Sequence, residues 1–575
     1  MPMNKNSKPA VAAGVAASLA AVVALSACAT LPSNTAPHVI RAYESQETAD
    51  PKIAPQAGSE PDLLLRDFFA ASAIPTSNYE AARSFLTAPA QAAWQPSETI
   101  LVVDRLSLST VAGGTDGRRS FSVQGGVIGE IHPGGVFRPN RALYDSTMEL
   151  EQVNGEWRIS SLPSGVVIER ADLRDKYQPH NLYFFDNTGT ELVADRRWLY
   201  NSRGSLDSEL LTVLMDGPAE RLKPAVRFDL AEVGSYVGYD DGAYNFSGFG
   251  SVSEERRFRF AAQVVWVLAE AGVTGPIAIT ADGDPLVPGF ETFSTEDFPD
   301  LAPVATAPGD VSTFALSNGN LYSVSEGETE PVQGALGGSG TIASADLARG
   351  GNYAVVTGSE GGQRFEIGSL GGFRDVVVEG ESFTRPSFEP DASAVWVVAD
   401  GERVLRTVRS AASGAVSTTE IPMQFPDGVE GNISVLRLSR TGTRAVLVIE
   451  GRLFTGIVEQ NGLGEQSIVN ILEYVPDLGG SVIAADWNPD GSLLVGTSVP
   501  ETPIVRVEQD GSSMTVLPGG NLTAPVVAVA STPTMNYATD ANGTLQLPAI
   551  GVDERPNWRE VPGLQGIRAV PIIAR

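Results

Sequence analysis

A single cysteine, Cys28, is the only thiol among 575 residues, and it lies near the N-terminus. A lone thiol cannot form a disulfide within its own chain, so its available chemistry is modification or metal binding. The three histidines, His38, His132 and His180, lie in separate regions. Zinc sites in proteins are built mainly from cysteine and histidine ligands, so we expect no such site. Modification of the Cys28 thiol is therefore the chemistry to consider.

The residues before Cys28 have the pattern of a secretory signal. A short polar start with Lys5 and Lys8 precedes an uncharged, alanine-rich stretch from Ala10 to Leu25. This stretch is short and weakly hydrophobic compared with a membrane span of about 20 apolar residues. We therefore predict a signal peptide over residues 1–27.

The residues Leu25, Ser26 and Ala27, directly before Cys28, resemble the lipobox of bacterial lipoproteins. In lipoproteins the thiol receives a diacylglyceryl group, and the signal is cut before the cysteine. The resemblance implies that acylated Cys28 holds the protein in the lipid bilayer, on the extracytoplasmic face of the cell membrane. The alternative is an ordinary secretory signal that leaves Cys28 unmodified.

The composition indicates globular domains with an acidic surface. The chain is 42% hydrophobic and 19% charged, and its formal net charge is −29. Such acidity disfavours binding to nucleic acid and gives no attraction to anionic lipid headgroups. We therefore expect no nucleic-acid partner, and membrane attachment has to come from the lipid itself. No pattern in the sequence predicts a cofactor or a metal.

The first folded unit is predicted over residues 61–172, after a polar, proline-containing tether at 28–60. Two amphipathic helices come first. Their apolar residues are Leu64, Leu65, Phe68 and Phe69 in the first helix, and Tyr79, Ala82, Phe85 and Leu86 in the second. Strand-like segments follow, and Asn154-Gly155 predicts a hairpin turn. Helices followed by an antiparallel sheet resemble the α+β cone of NTF2-like domains.

A second α+β unit is predicted over residues 178–297. Two strands meet at the turn Asn187-Thr188-Gly189, and Ser205 is a candidate cap for the helix that follows. A longer helix ends at Gly272, and a hairpin closes the unit. The segments "YFFD", "LLTVLMDGP", "QVVWVL" and "ITADGDPL" resemble the GerMN domain in this order. Asp282 and Asp284 supply too few ligands for a calcium loop, so a hairpin tip is favoured.

The last part of the chain, residues 300–575, contains an internal repeat. Leu347, Phe388, Leu438 and Trp487 occupy equivalent positions, separated by 41, 50 and 49 residues. Each copy contains several short strands joined by polar turns, and two degenerate copies extend the series at its ends. Repeats of about 40–50 residues are typical of β-propeller blades. We predict an all-β propeller with six blades, closed by the tail "GIRAVPIIAR"; a stacked β-solenoid is the alternative.

Taken together, the lipobox, the NTF2-like unit, the GerMN-like unit and the propeller resemble the LpqB family of actinobacterial lipoproteins. The order of the four parts is more specific than any one of them. The resemblance implies an extracytoplasmic lipoprotein that binds and modulates a sensor histidine kinase, MtrB of the MtrAB two-component system. The kinase ectodomain is then the expected protein partner.

Other function classes have less support in the sequence. We find no G-x-S-x-G, H-E-x-x-H or G-x-x-x-x-G-K-[ST] motif, and no histidine in the propeller region. The sequence therefore predicts a protein that is not an enzyme, although a propeller hydrolase using paired carboxylates remains an alternative. The other alternative is a protein that binds cell-wall glycan or a small ligand.

Overall fold

The structure is a computed structural model that describes residues 53–574, except 113, 115–116, 202–204, 229–233, 304–310, 326, 463 and 550–556. Three regions follow one another along the chain. Among the described residues, the first contains helices and one sheet, the second contains two α-helices and two sheets, and the third contains sheets joined by turns and short 3-10 helices.

The first region packs three helices against a five-stranded sheet. The helices are α1 (Pro61–Ser72), α2 (Thr76–Arg83) and α3 (Ala88–Ala93). The strands are β1 (Ile100–Thr110), β2 (Arg118–His132), β3 (Val136–Val153), β4 (Glu156–Ser161) and β5 (Val166–Glu169), and α4 (Arg170–Lys176) follows. The sheet order is β4-β3-β2-β1-β5, and only β1 and β5 are parallel. The predicted turn at Asn154-Gly155 is confirmed, since both residues have positive φ, as the twist of a two-residue hairpin requires.

The helical stripe predicted in α1 is confirmed, because all four of its apolar side chains are buried. The second predicted helix, however, is divided into α2 and α3. Between them, Leu86 forms a bridge with Ile159 of β4. Thr87 then accepts a hydrogen bond from the amide of Ala90, and Pro89 occupies the first turn of α3. A proline has no amide hydrogen to donate inside a helix, so this segment starts a new helix instead of continuing the old one.

The second region has two small sheets around a shared core. Its elements are β6 (Tyr177–Asp186), β7 (Leu192–Tyr200), α5 (Leu206–Met215), β8 (Val226–Arg227), β9 (Ser235–Asp240), β10 (Ala243–Ser247), α6 (Glu254–Glu270), β11 (Ala278–Ala281) and β12 (Asp284–Pro285). The sheet orders are β7-β6-β8 and β12-β11-β10-β9. Phe184, Leu210 and Phe260 belong to one buried cluster that joins the first sheet to α5 and α6.

The ends of the two helices follow the predictions in part. Gly272 has φ +73° directly after α6, as a helix-terminating glycine does. Ser253 caps α6 by accepting a hydrogen bond from the amide of Arg256. Ser205 occupies the capping position of α5, but its hydroxyl makes no capping hydrogen bond. The acidic side chains Asp207 and Glu209 lie in that first turn instead, where they interact favourably with the helix dipole.

The third region consists of six four-stranded antiparallel sheets within the described residues. The strands of the first sheet are β13 (Thr313–Ser317), β14 (Asn320–Ser325) and β15 (Glu328–Pro331), together with the last strand of the chain. The second sheet is β16 (Ile342–Leu347), β17 (Asn352–Ser359), β18 (Gly362–Ser369) and β19 (Arg374–Gly380). The third is β20 (Ser387–Phe388), β21 (Ala394–Ala399), β22 (Arg403–Arg409) and β23 (Val416–Glu420).

The remaining sheets repeat the same order. The fourth is β24 (Ile433–Leu438), β25 (Arg444–Ile449), β26 (Arg452–Gln460) and β27 (Gln466–Glu473). The fifth is β28 (Val482–Trp487), β29 (Leu493–Thr497), β30 (Ile504–Val507) and β31 (Met514–Val516). The sixth is β32 (Ala528–Ser531), β33 (Met535–Thr539), β34 (Thr544–Pro548) and β35 (Arg559–Glu560). The last strand, β36 (Val570–Ile573), pairs with β13, so the predicted closing strand is confirmed.

The register of the repeat is also confirmed. Leu347, Phe388, Leu438 and Trp487 are each the last residue of the first strand in their sheet, and all four are buried. A buried ionic cluster joins these first strands. Arg437 on β24 pairs with Asp346 on β16 at 3.0 Å and with Asp486 on β28 at 3.5 Å. Side chains from three different sheets therefore meet at one point.

Candidate functional site

A cleft lies where the three regions meet. Its volume is about 760 Å³, and each region contributes to its lining. The first region supplies the loop at Gly134 and the start of β3, and the second supplies β7 and the segment after α5. The third region supplies residues of β25 to β27 and the loop around Asp510. A cleft of this volume is in the range of small-molecule sites.

A buried ion pair on β7 forms one wall of the cleft. Arg197 pairs with Asp195 at 2.7 Å, and both side chains are buried. Arg197 also donates to the carbonyl oxygens of Gly134 and Gly217, each at 3.0 Å. Asp195 accepts a hydrogen bond from the amide of Ala219 at 2.8 Å. The pair thus links β7 to the first region and to the end of α5, and its charges are compensated.

The neighbouring residues of β7 reach the third region. Arg196 pairs with Glu508 at 3.0 Å, and its Nε lies 3.7 Å from a carboxylate oxygen of Asp510. The indole of Trp198 donates to Asp510 at 2.9 Å. These partners lie more than 300 residues further along the chain. A short charged segment of one strand therefore holds the second region against the third.

Arg221, after α5, makes a second set of contacts with the third region. Its guanidinium donates to the carbonyl and hydroxyl oxygens of Thr455, both at 2.8 Å, and to the hydroxyl of Tyr474 at 2.8 Å. It also donates to the carbonyl of Asn470, whose amide side chain donates back to the Arg221 carbonyl at 3.0 Å. Every acceptor of Arg221 among the described residues is neutral, so no carboxylate in that part of the chain is bonded to its positive charge.

Arg444, the first residue of β25, lines the cleft from the third region. It is 8% exposed, and its guanidinium donates to the carbonyl of Ala194 at 2.7 Å. No carboxylate of a described residue lies within ion-pair distance of it. The pKa of Arg444 is lowered to about 10. Burial is the main cause, Tyr474 and Asp195 oppose the lowering, and the nearby positive charge of Arg221 contributes to it. The side chain still carries its charge at neutral pH.

Two glycines allow the regions to approach closely. Gly135 has φ +77°, and a Cβ there would lie 2.6 Å from the carbonyl oxygen of Trp198. Gly511 has φ +75°, and a Cβ there would lie 2.7 Å from Cγ of Pro139. Real Cβ atoms do not come this close to backbone, so a side chain at Gly135 would separate the first region from β7.

The lining of the cleft is rich in arginine. Among the described residues, no group of three or more histidine, aspartate or glutamate side chains is placed to hold a metal ion. His132 lines the cleft and lies 3.4 Å from Glu130. Five arginines line the cleft, namely Arg138, Arg196, Arg197, Arg221 and Arg444. An arrangement of this kind recognises oxyanions through charge-assisted hydrogen bonds.

The residues singled out in the sequence are those of the lipobox and of the hairpin at Asp282. Cys28 and the lipobox residues Leu25, Ser26 and Ala27 are outside the described residues. Asp282 lies at a hairpin tip, where its carboxylate accepts hydrogen bonds from the amides of Gly248 and Phe249. No helix among the described residues is long and apolar enough to span a membrane.

No motif in the sequence predicts the cleft. The one local signal is the run Asp195-Arg196-Arg197-Trp198, which places three charges on a strand of a domain core. Strand residues alternate between the two faces of a sheet, so consecutive charges on both faces indicate that each face meets a polar partner. The identity of those partners depends on contacts across hundreds of residues.

Three family models match the chain in succession. They are described as "Lipoprotein LpqB, N-terminal domain" over residues 54–174, "Sporulation and spore germination" over 181–287, and "Lipoprotein LpqB beta-propeller domain" over 319–574. Among solved structures, the β-propeller domain of Cps50 (Swd1) from Myceliophteria thermophila aligns with a TM-score of 0.31 and 11% identity, covering 42% of this chain and 79% of that chain. A score this low supports no further comparison.

Curated relatives match over nearly the whole length. Lipoprotein LpqB of Corynebacterium diphtheriae is 35% identical, with 98% of each chain covered. Lipoprotein LpqB of Rhodococcus opacus is 34% identical, with 97% of each chain covered. The third region is thus a β-propeller and the second a GerMN domain, as predicted. With all three domain models in order and relatives matching end to end, the chain belongs to the lipoprotein LpqB family.

Proposed function

We propose that this protein is a membrane-anchored, extracytoplasmic lipoprotein that binds and modulates an MtrB-like sensor histidine kinase. The observation that carries the proposal is the match to lipoproteins named LpqB over nearly the whole chain. The kinase role itself comes from the resemblance of the four-part sequence to that family. By modulating the kinase, the protein would act on signalling that controls the cell envelope and division.

The anchor in this proposal is a lipid on Cys28. The signal peptide would comprise residues 1–27 and be removed after Ala27, leaving Cys28 as the N-terminal residue of the mature chain. Stable attachment to a bilayer takes about two acyl chains, and a diacylglyceryl group provides them. Mass spectrometry of the mature N-terminus tests this. An unmodified Cys28, or cleavage at another bond, would contradict it.

We also propose an assignment of domains. Residues 28–60 are the tether, 61–172 an NTF2-like domain, 178–297 the GerMN domain and 300–575 the propeller. The helices and the single curved sheet of the first region support the NTF2-like assignment. The six four-stranded sheets, with β36 joined to β13, support six blades in a closed ring.

A role in protein binding agrees with how the domains are joined. Contacts of Arg196, Trp198 and Arg221 hold the GerMN domain against the propeller, so a partner would meet one continuous surface. On the GerMN domain, β9 is an edge strand, and its side chains Val237 and Tyr239 are exposed. An edge strand with exposed apolar side chains is a common docking surface for another protein. We therefore assign this edge to the kinase ectodomain, and we assign no catalytic residue.

Photo-crosslinking in intact cells tests the kinase assignment. A photoreactive residue replaces Val237 in one variant and the equally exposed Leu143, on β3 of the first domain, in the control. We expect a sensor kinase to be recovered by mass spectrometry from the Val237 position and not from the Leu143 position. We also expect Cys28→Ala to abolish recovery, because anchoring confines both partners to the membrane and raises their effective concentration.

Two results would contradict the proposal. Equal recovery from both positions would mean that capture is non-specific. Hydrolysis of cell-wall material by the purified protein would favour the enzymatic alternative. The second candidate function, binding of cell-wall glycan or a small ligand, has its own support in the cleft of about 760 Å³ between the domains.

A further inference from the structure

Five arginines line the cleft between the domains, together with four acidic residues, Asp195, Asp216, Glu220 and Asp510, so the lining has a small excess of positive charge. Two of its five arginines are paired with carboxylates, Arg197 with Asp195 and Arg196 with Glu508. The other three, Arg138, Arg221 and Arg444, have no carboxylate of a described residue within 4.0 Å. This is notable in a chain with 69 acidic and 40 basic residues, where carboxylates are abundant.

Arg444 is the most informative of the three. Arginine is almost never buried without a carboxylate or a phosphate, because removing its charge from water is costly. Its guanidinium can donate five hydrogen bonds, and the structure shows one, to the carbonyl of Ala194. Burial also lowers the pKa of this side chain, and the nearby Asp195 carboxylate opposes that lowering only in part. An oxyanion in the cleft would supply both the missing charge and the missing acceptors.

Other polar side chains line the same cleft. Nε of Arg197 is buried and has no hydrogen-bond partner among the described residues, whereas Nε2 of His132 lies 3.4 Å from Glu130 and Nε of Arg196 lies 3.7 Å from Asp510. Arg138 is exposed at the start of β3, on the first domain, and also lines the cleft. Donors thus come from the first domain, the GerMN domain and the propeller, on different sides of one cavity.

We propose that this cleft binds a small organic anion. One oxyanion group of the ligand, a carboxylate or a phosphate, contacts Arg444, and a second acidic group of the ligand contacts Arg138. The planar guanidinium of Arg444 suits either oxyanion, since both accept two parallel hydrogen bonds. The cleft volume of about 760 Å³ accommodates a ligand of several functional groups. Because Arg138 and Arg444 belong to different domains, the ligand joins the first domain to the propeller.

This inference is independent of the kinase role, because it is tested with the purified protein alone. The full chain is prepared in detergent and titrated by calorimetry with citrate, with inorganic phosphate and with neutral tri-N-acetylated chitotriose. Citrate supplies several carboxylates, phosphate supplies one phosphate group, and chitotriose tests whether uncharged glycan suffices. We expect binding of citrate or phosphate that weakens as salt is added, and no binding of chitotriose.

Three variants locate the site. Arg444→Gln removes the buried charge but keeps a donor for the Ala194 carbonyl, and Arg138→Gln removes the exposed charge. Arg364→Gln is the control, because Arg364 forms an exposed pair with Glu379 on the second sheet of the propeller. Loss of a charge-assisted hydrogen bond weakens binding roughly tenfold. We expect that loss with citrate in Arg444→Gln and in Arg138→Gln, and unchanged affinity in the control.

The melting temperature without ligand distinguishes binding from a structural role. If Arg444 serves a ligand, then Arg444→Gln removes an uncompensated charge and leaves the melting temperature unchanged or raised. A large decrease would mean that Arg444 is structural, and it would overturn the assignment of this residue. Should that variant fail to fold, exposed Arg138 still tests the site. The inference is refuted if neither anion binds at millimolar concentration, or if all three variants bind equally.

Discussion

Removing Arg437 from the propeller is expected to cost far more stability than removing an exposed arginine from the same domain. Arg437 is 2% exposed and bonded to Asp346, which is 0% exposed, while Asp486 lies at 3.5 Å. The nearby carboxylates raise the pKa of Arg437 although burial alone lowers it, so the cation is held by its partners. In Arg437→Met, the carboxylate of Asp346 remains buried but loses one of the two guanidinium groups near it.

The size of the effect follows from what Asp346 retains. Breaking a buried pair by removing one partner costs about 3–5 kcal/mol, because a buried charge is left uncompensated. Asp346 keeps Arg385 at 3.6 Å and the amide of Phe388 at 3.1 Å. We therefore expect the lower end, about 3 kcal/mol. The control Arg364→Met breaks an exposed pair with Glu379 and should cost below about 1 kcal/mol.

Urea unfolding followed by tryptophan fluorescence measures both variants. Trp487 is a local probe, because its indole donates to the carbonyl of Arg437 at 2.9 Å. The double variant Asp346→Asn with Arg437→Met should recover part of the lost stability, because one of the two buried carboxylates paired with Arg437 is then replaced by a neutral amide. Equal losses in Arg437→Met and Arg364→Met would refute the reasoning, as would a double variant less stable than Arg437→Met alone.

Three further predictions concern the domain junctions, closure and pH. Gly135→Ala should lower stability by about 1–3 kcal/mol, because the added Cβ meets the Trp198 backbone. Limited proteolysis should cut this variant between the first two domains sooner than it cuts the control Gly155→Ala, where the space around the added Cβ is open. A chain ending at residue 569 should lose folded propeller by circular dichroism, because β13 loses β36, whereas a chain ending at residue 574 should fold. Burial lowers the pKa of His180 despite Glu270, and Arg196 adds to the lowering. Below a pH of about 6.5 the unfolded chain therefore binds the proton more readily than the folded chain. Stability should fall as the pH drops through that value, and His180→Gln should remove this part of the dependence in denaturation curves at pH 5 and 7.5.

Local patterns in the sequence were sufficient for most of the elements. The stripe in α1 follows from apolar residues at helical spacing, and the turn at Asn154-Gly155 follows from two residues that tolerate positive φ. The equivalence of Leu347, Phe388, Leu438 and Trp487 follows from a repeat in which each copy buries the same position. Such features depend on residues that are close in the chain or on a regular period, so a single sequence is enough to predict them.

The break between α2 and α3 was missed because a long-range contact decides it. The apolar spacing of Phe85 and Leu86 fits a helix, but Leu86 pairs with Ile159, more than 70 residues away. Tertiary contacts of this kind override local helix preference.

The cleft was decided only by the tertiary structure. Arg138, Arg221 and Arg444 lie in three domains, and no spacing in the sequence relates them. Whether an arginine is compensated depends on which carboxylates surround it in the folded chain, and in an acidic sequence every arginine has many candidate partners. The sequence by itself determined the order of the domains and the repeat, and it contains the lipobox-like motif at Cys28, because these are linear patterns. The packing of the three domains determined which charges are buried together and which of them are left without a partner.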